Sequence, residues 1–173
     1  NMKKNMVKFV KKLKDANFSQ IYIGLESGSE RIRRDILHRP NYTNKDIITF
    51  CKYMQKNGIQ IALNVMVGLP TETPQEIDQT IVVLDKISPH NVRPSIFCPY
   101  PSTDIYKYML KNKMIKKGIF VTGWEERRNA RFGYDILPKK IIQEKFDYII
   151  NNYSISKKSK CINTLRLMKK YEK

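Results

Sequence analysis

Polar side chains end or interrupt three apolar runs in this chain. Glu26 follows Ile21-Tyr22-Ile23-Gly24-Leu25, Asn64 sits late in the run from Ile59 to Val67, and Cys98 to Tyr100 follow the run from Val92. If the runs are parallel strands, ligands belong at their carboxyl ends, and these residues are candidates for binding. Gly24, Gly28 and Gly68 let a ligand approach the backbone closely. Arg39, thirteen residues after Glu26, can fold back over the same rim. Each also has a plainer reading. Glu26 suits the first turn of any helix, where a carboxylate adds about 0.3–1 kcal/mol. Arg39 suits a solvated helix end, and Asn64 a structural hydrogen-bonder, because a buried amide needs partners. Met66 is as easily core as ligand wall.

Metal and disulfide chemistry find little support. Cys51, Cys98 and Cys161 are never closer than 47 residues, so they suggest neither a metal knuckle nor a disulfide framework. A reducing, cytoplasmic setting is the simplest expectation. His38 and His90 lack ligand spacing and read as surface residues, Cys98 reads as a buried thiol, and Trp124 as a packing residue.

The elements that must hold these residues alternate. Met6, Val7, Val10 and Leu13 form a helical stripe over 2–16. A strand over 21–25 leads to Ser27 and Glu30, which fit a capping box for a helix ending before Pro40. Thr43 and Asp46 start another helix, closed by Gly58. The strand over 59–67 is long and apolar, as buried parallel strands are. Thr73-Pro74-Gln75-Glu76 starts a helix running to about Ile87. The strand from Val92 to Cys98 carries Pro94, which points to a sheet edge. Thr103 to about Asn112 is helical, 118–137 reads as a long loop, and Pro138 to Tyr153 and 157–173 are helices. A helix followed by three strand–helix units means a parallel sheet with right-handed crossovers.

The chain has 173 residues and a net charge of +17. The charge is +5 over 1–20, +1 over 21–110 and +11 over 111–173. Basic ends fit either solvated lysine-rich faces or an electrostatic footprint for RNA or an anionic surface. With 41% hydrophobic residues the chain can build a core, and no apolar run is long enough to span a membrane. No apolar segment follows the N-terminus as in a secretory signal.

Gly24-Leu25-Glu26-Ser27-Gly28-Ser29-Glu30 with Arg39 resembles the fourth strand–helix unit of radical S-adenosylmethionine enzymes. Asn57-Gly58-Ile59 with Asn64-Val65-Met66-Val67-Gly68-Leu69-Pro70-Thr71-Glu72-Thr73 resembles the fifth. Cys98-Pro99-Tyr100-Pro101-Ser102-Thr103-Asp104-Ile105-Tyr106 resembles the sixth, where the family often has Gly in place of Ser102. The set is most similar to the branch that carries a cobalamin-binding domain.

The resemblance implies an α/β fold: the C-terminal half of a partial (β/α)6 TIM-like barrel over residues 1–112, with a helical C-terminal extension over 113–173 capping the mouth. It implies S-adenosylmethionine as cofactor. Glu26 would bind the ribose hydroxyls, a task that suits a carboxylate accepting from two vicinal donors. Arg39 would pair with the methionyl carboxylate. Asn64 would lie near the ribose, and Met66, Val67 and Tyr100 along the adenine. The family's 4Fe–4S cluster is held by a Cys-x-x-x-Cys-x-x-Cys loop that this sequence lacks. The simplest expectation is a fragment whose cluster ligands, and any cobalamin, belong to the missing N-terminal part of the same protein; the alternative is a degenerate, cluster-free relative. On this reading the fragment alone is inactive, and its small-molecule substrate is unnamed. The alternatives are an RNA-modifying or nucleic-acid-binding module using the basic termini, and a phosphate-binding barrel using the Gly68 loop and the helix start at Thr73.

Overall fold

A computed structural model describes residues 2–39, 41–118 and 127–154. Its elements run α1 (Met2–Asp15), β1 (Gln20–Glu26), a π-helical turn (Ile32–Ile36), α2 (Asn44–Lys56), β2 (Gln60–Val67), α3 (Pro74–Ile87), β3 (Asn91–Ile96), α4 (Asp104–Lys111) and α5 (Lys139–Tyr153). The strands form one parallel sheet in the order β1-β2-β3. The longest apolar run takes the centre, where both ladders need partners. The strand with Pro94, which cannot donate to a ladder, takes an edge.

Strand pleating sorts side chains by face. Leu25, Ile61, Leu63, Val65, Val67, Val92 and Ile96 are buried in the main core with Ile47, Cys51 and Met54 of α2 and Ile77, Leu84 and Ile87 of α3. The other face carries Tyr22, Gly24, Asn64, Met66, Arg93 and Ser95, most of them polar and partly open. A second cluster, Ile32, Leu69, Phe97, Tyr106, Met109 and Ile115, joins α4 to the loops at the carboxyl ends of the strands.

Helix starts follow local chemistry at α2 and α3. Thr43 with Asp46 and Thr73 with Glu76 form full capping boxes, and Pro74 stands in the first turn. The helix after β1 departs from its expected start. Ser27 closes no box with Glu30: its Oγ accepts from Ser29 N–H at 3.2 Å and donates to Glu72 at 3.4 Å. Glu30 instead accepts from the Asn44 backbone N–H at 2.6 Å. Ser29 caps the turn, its Oγ accepting from Ile32 N–H at 3.2 Å. Contacts made 14 to 45 residues away thus displace the local box.

The helix expected over 138–153 is α5, which packs along β3 and beside α3, with Ile142, Phe146 and Ile149 in the main core. Lys145 pairs with Asp78 and Tyr153 donates to Asp85, both on α3. Trp124, Cys161 and the helix expected over 157–173 lie outside the described residues. Among the described residues no helix is long and apolar enough to cross a membrane.

Candidate ligand-binding rim at the carboxyl ends of the strands

β1 ends in an unusual backbone. Glu26 has φ 64°, in the left-handed region, and Ser27 N–H donates to the Leu25 carbonyl at 2.8 Å. Together these close a three-residue γ-turn about a non-glycine residue, a rare and strained form. The ladder to β2 slips at the same place, between Gly24 and Glu26. The turn curls the Glu26 side chain back over Gly24. A Cβ on Gly24 would lie 2.3 Å from Glu26 Oε1 and 3.3 Å from an Arg39 nitrogen, so a side chain there would push the carboxylate out of this position.

Arg39 reaches the same spot from the far side of the π-helical turn. His38 takes φ 53°, and Arg39 N–H donates to the Arg33 carbonyl at 2.7 Å, which turns the chain back toward β1. An Arg39 guanidinium nitrogen then donates to Glu26 Oε1 at 3.1 Å. The Glu26 side chain is 16% exposed and that of Arg39 51%. A pair this open to water contributes no more than about 1 kcal/mol. It can part at small cost to receive a ligand offering hydroxyls to one partner and a carboxylate to the other.

The loop bearing Glu26 is braced from beneath. Gly28 N–H donates to Thr80 Oγ1 at 2.7 Å, and a Cβ on Gly28 would meet Thr80 Cα at 2.4 Å. Ser29 and Arg31 both donate to Glu76 at 2.8 Å. Burial pushes the Glu76 carboxyl up, but these bonds and the Thr73 N–H outweigh it and hold the group down at about 2. Arg33 is fully buried. It donates to the Ser27 carbonyl at 2.6 Å and to Asn44 at 2.9 Å, and it stacks on Tyr42. Its Nε has no partner among the described residues.

Glu72 decides the fate of the Gly68 loop. Its carboxyl is fully buried and accepts from Gly68 N–H at 2.8 Å and Leu69 N–H at 3.2 Å. Burial pushes it up to about 8, against the pull of those two N–H groups. The donors that a bound phosphate would need are therefore taken by the protein's own carboxyl. At the start of α3 the Thr73–Glu76 box closes on itself. The phosphate-binding reading of this loop fails on that geometry.

Glu26, Asn64 and Met66 line one concavity of about 970 Å³ on the polar face of the sheet. Asn64 stands in register with Gly24, and among the described residues its side-chain amide has no hydrogen-bond partner. Met66 also lines a smaller hollow of about 120 Å³, shared with Cys98 and Tyr100. Tyr100 is exposed, and its hydroxyl accepts from Arg127. Cys98 is half-buried rather than enclosed. Val67 does not join the site. It points to the opposite face from Met66 and is fully buried in the main core. Ser102 has φ 69°, the left-handed conformation in which glycine is at ease.

Sequence reasoning passed over Arg93, Tyr22 and Arg33. The alternation Asn91-Val92-Arg93 was a usable signal for Arg93. Arg33 lies in Arg31-Ile32-Arg33-Arg34-Asp35, a string with the look of a solvated face.

The radical SAM superfamily model matches residues 3–84, which hold β1, β2 and the Glu26 rim. Over these residues the chain is similar to the radical SAM superfamily. An uncharacterised methyltransferase of Pyrococcus horikoshii is 29% identical over 108 residues, covering 62% of this chain and 23% of that protein. A tRNA-2-methylthio-N(6)-dimethylallyladenosine synthase of Deinococcus radiodurans is 24% identical over 120 residues, covering 64% of the chain and 23% of the relative. The chain thus spans less than a quarter of the length of these curated relatives. The radical SAM enzyme coproporphyrinogen III oxidase (HemN) of Escherichia coli shares the fold. Its TM-score is 0.56 at 15% identity, over 83% of this chain and 29% of that one.

The superfamily implies S-adenosylmethionine and a 4Fe–4S cluster, and the residues present fit the two differently. Carboxylate, guanidinium and amide groups around a bare glycine suit a zwitterionic nucleoside. The cluster needs thiolates. Among the described residues no three His, Cys, Asp or Glu side chains gather as metal ligands. Burial pushes the Cys51 thiol up to about 12, so it stays protonated. The described donor set does not hold a cluster.

Proposed function

We propose that the rim formed by Glu26, Arg39 and Asn64 binds S-adenosylmethionine in a radical SAM enzyme of which this chain is the C-terminal part of the core barrel. The observation that carries this reading is the Glu26 γ-turn, which sets a carboxylate over Gly24 and against Arg39 at the end of β1. Glu26 Oε1 faces Arg39, and Oε2 has no partner among the described residues, so the carboxylate can accept from vicinal ribose hydroxyls. Arg39, half-exposed, turns its planar fork to the methionyl carboxylate. Asn64 offers a donor and an acceptor beside the ribose, and Met66 and Tyr100 supply apolar wall for the adenine.

S-adenosylmethionine supplies a carbon-centred 5′-deoxyadenosyl radical when reduced. The chain's own part is to hold that molecule in one orientation and exclude water around it. The thiolate ligands of the cluster, and a cobalamin-binding domain if the parent belongs to that branch, fall to protein outside these residues. The nucleic-acid alternative draws on the basic ends and on the tRNA-modifying activity named for the Deinococcus radiodurans relative. It requires polynucleotide affinity that falls steeply with salt.

Calorimetric titration of S-adenosylmethionine tests the proposal. Glu26→Ala and Arg39→Ala each remove a charged hydrogen bond and should weaken binding by about 1.5–3 kcal/mol. Unchanged affinity in both variants would sink it.

A further inference from the structure

One cation in the concavity is used neither by the core nor by the S-adenosylmethionine rim. Arg93 projects from the middle of β3 onto the polar face, and it is exposed. Its guanidinium lies 4.4 Å from the centroid of the Tyr22 ring, and one of its nitrogens donates to the Tyr22 hydroxyl at 3.1 Å. Tyr22, on the end strand β1, is itself 48% exposed. Among the described residues Arg93 makes no ion pair. The ring contact and the hydroxyl bond hold the guanidinium over Tyr22 without neutralising it, and its remaining N–H donors suit a carboxylate or phosphate.

Position adds to chemistry. Gly24, Asn64 and Arg93 are register partners across three adjacent strands. Strand spacing puts Arg93 about 10 Å from the Gly24 floor under Glu26. That is one small molecule's width from the rim, within the same concavity. Arg127 and Arg128 line the same hollow, and Glu26 is the one carboxylate among the described lining residues. The potential there is positive, and focusing in a concave wall strengthens it.

We propose that Arg93, held over the Tyr22 ring, binds an oxyanion, either carboxylate or phosphate, on the substrate that lies beside S-adenosylmethionine. The assignment to the substrate rests on the proposed cofactor site; the oxyanion site itself stands on Arg93 alone. The test is an NMR titration of the chain at constant ionic strength, following the Arg93 Nε–Hε and Tyr22 ring signals. Inorganic phosphate and acetate serve as separate probes. The expected result is a single saturable shift at Arg93, weakened at least tenfold in Arg93→Gln while the amides of Ser27 to Ser29 stay in place. The tighter of the two probes identifies the substrate's group. Phosphate or acetate binding should persist within twofold in saturating S-adenosylmethionine. Loss of it would show Arg93 holding the cofactor's own carboxylate and overturn the proposal. Shifts scattered over lysines and unchanged in Arg93→Gln would overturn it equally. If S-adenosylmethionine leaves the Glu26 rim unmoved while the anion still titrates Arg93, the cofactor reading fails and the oxyanion site is upheld.

Discussion

Replacing Glu72 by glutamine should remove a pH dependence of stability built into the turn after β2. The carboxyl is fully buried, and burial raises it from an ordinary value of 4.5 to about 8. Between those values the folded chain holds a proton that the unfolded chain releases, so stability falls as pH rises. The loss approaches about 1.4 kcal/mol per pH unit within the window and reaches several kcal/mol across it. Glutamine keeps the shape. Its carbonyl accepts from Gly68 and Leu69 N–H as the carboxyl does, and its amide faces Ser27 Oγ. Chemical denaturation at intervals from pH 5 to 8.5 is the assay. The unaltered chain should lose stability up to about pH 8, whereas Glu72→Gln should match it at pH 5, stay flat, and be the more stable at pH 8. Equal slopes for the two proteins would mean that Glu72 is already ionised in the folded chain and that burial does not control it.

Gly28→Ala places a Cβ 2.4 Å from Thr80 Cα and 2.6 Å from the Gln79 carbonyl, both backbone atoms of α3. Overpacking of this kind costs about 1–3 kcal/mol, read as a lower melting temperature; an unchanged one would contradict the close approach. Glu76 behaves in the opposite sense to Glu72. Held at about 2, it stabilises the chain above its ordinary value of 4.5, and that contribution is lost as pH falls toward 2. Glu76→Gln should therefore flatten the acid limb of the stability profile below pH 4.5, and an unaltered limb would show that Arg31 and Ser29 do not hold the carboxylate.

The parts of this fold legible in the sequence are those fixed by neighbours along the chain. Thr73-Pro74-Gln75-Glu76 carries its own cap, and α3 starts at Pro74 as that cap dictates. The β2 run is apolar enough that only the middle of the sheet suits it. The segment after β1 was misjudged because its hydrogen bonds are long-range. Ser27 answers to Glu72 and Glu30 to Asn44, and no local pattern encodes either. α5 likewise follows its apolar stripe to β3 and α3, where shape selects the partner. At the rim, period-two alternation identifies Met66 and excludes Val67, its neighbour in sequence but not in direction. The same alternation exposes Arg93. Arg33 was illegible, since nothing in a polar string shows which of three arginines turns inward.

The central claim is that Glu26, Arg39 and Asn64 form one receiving surface. The direct test is to map amide and side-chain shifts of the labelled chain during titration with S-adenosylmethionine. Saturable changes confined to Gly24–Gly28, Arg39, Asn64, Met66 and Tyr100 are predicted. Changes absent there, or found instead around the start of α3, would contradict it.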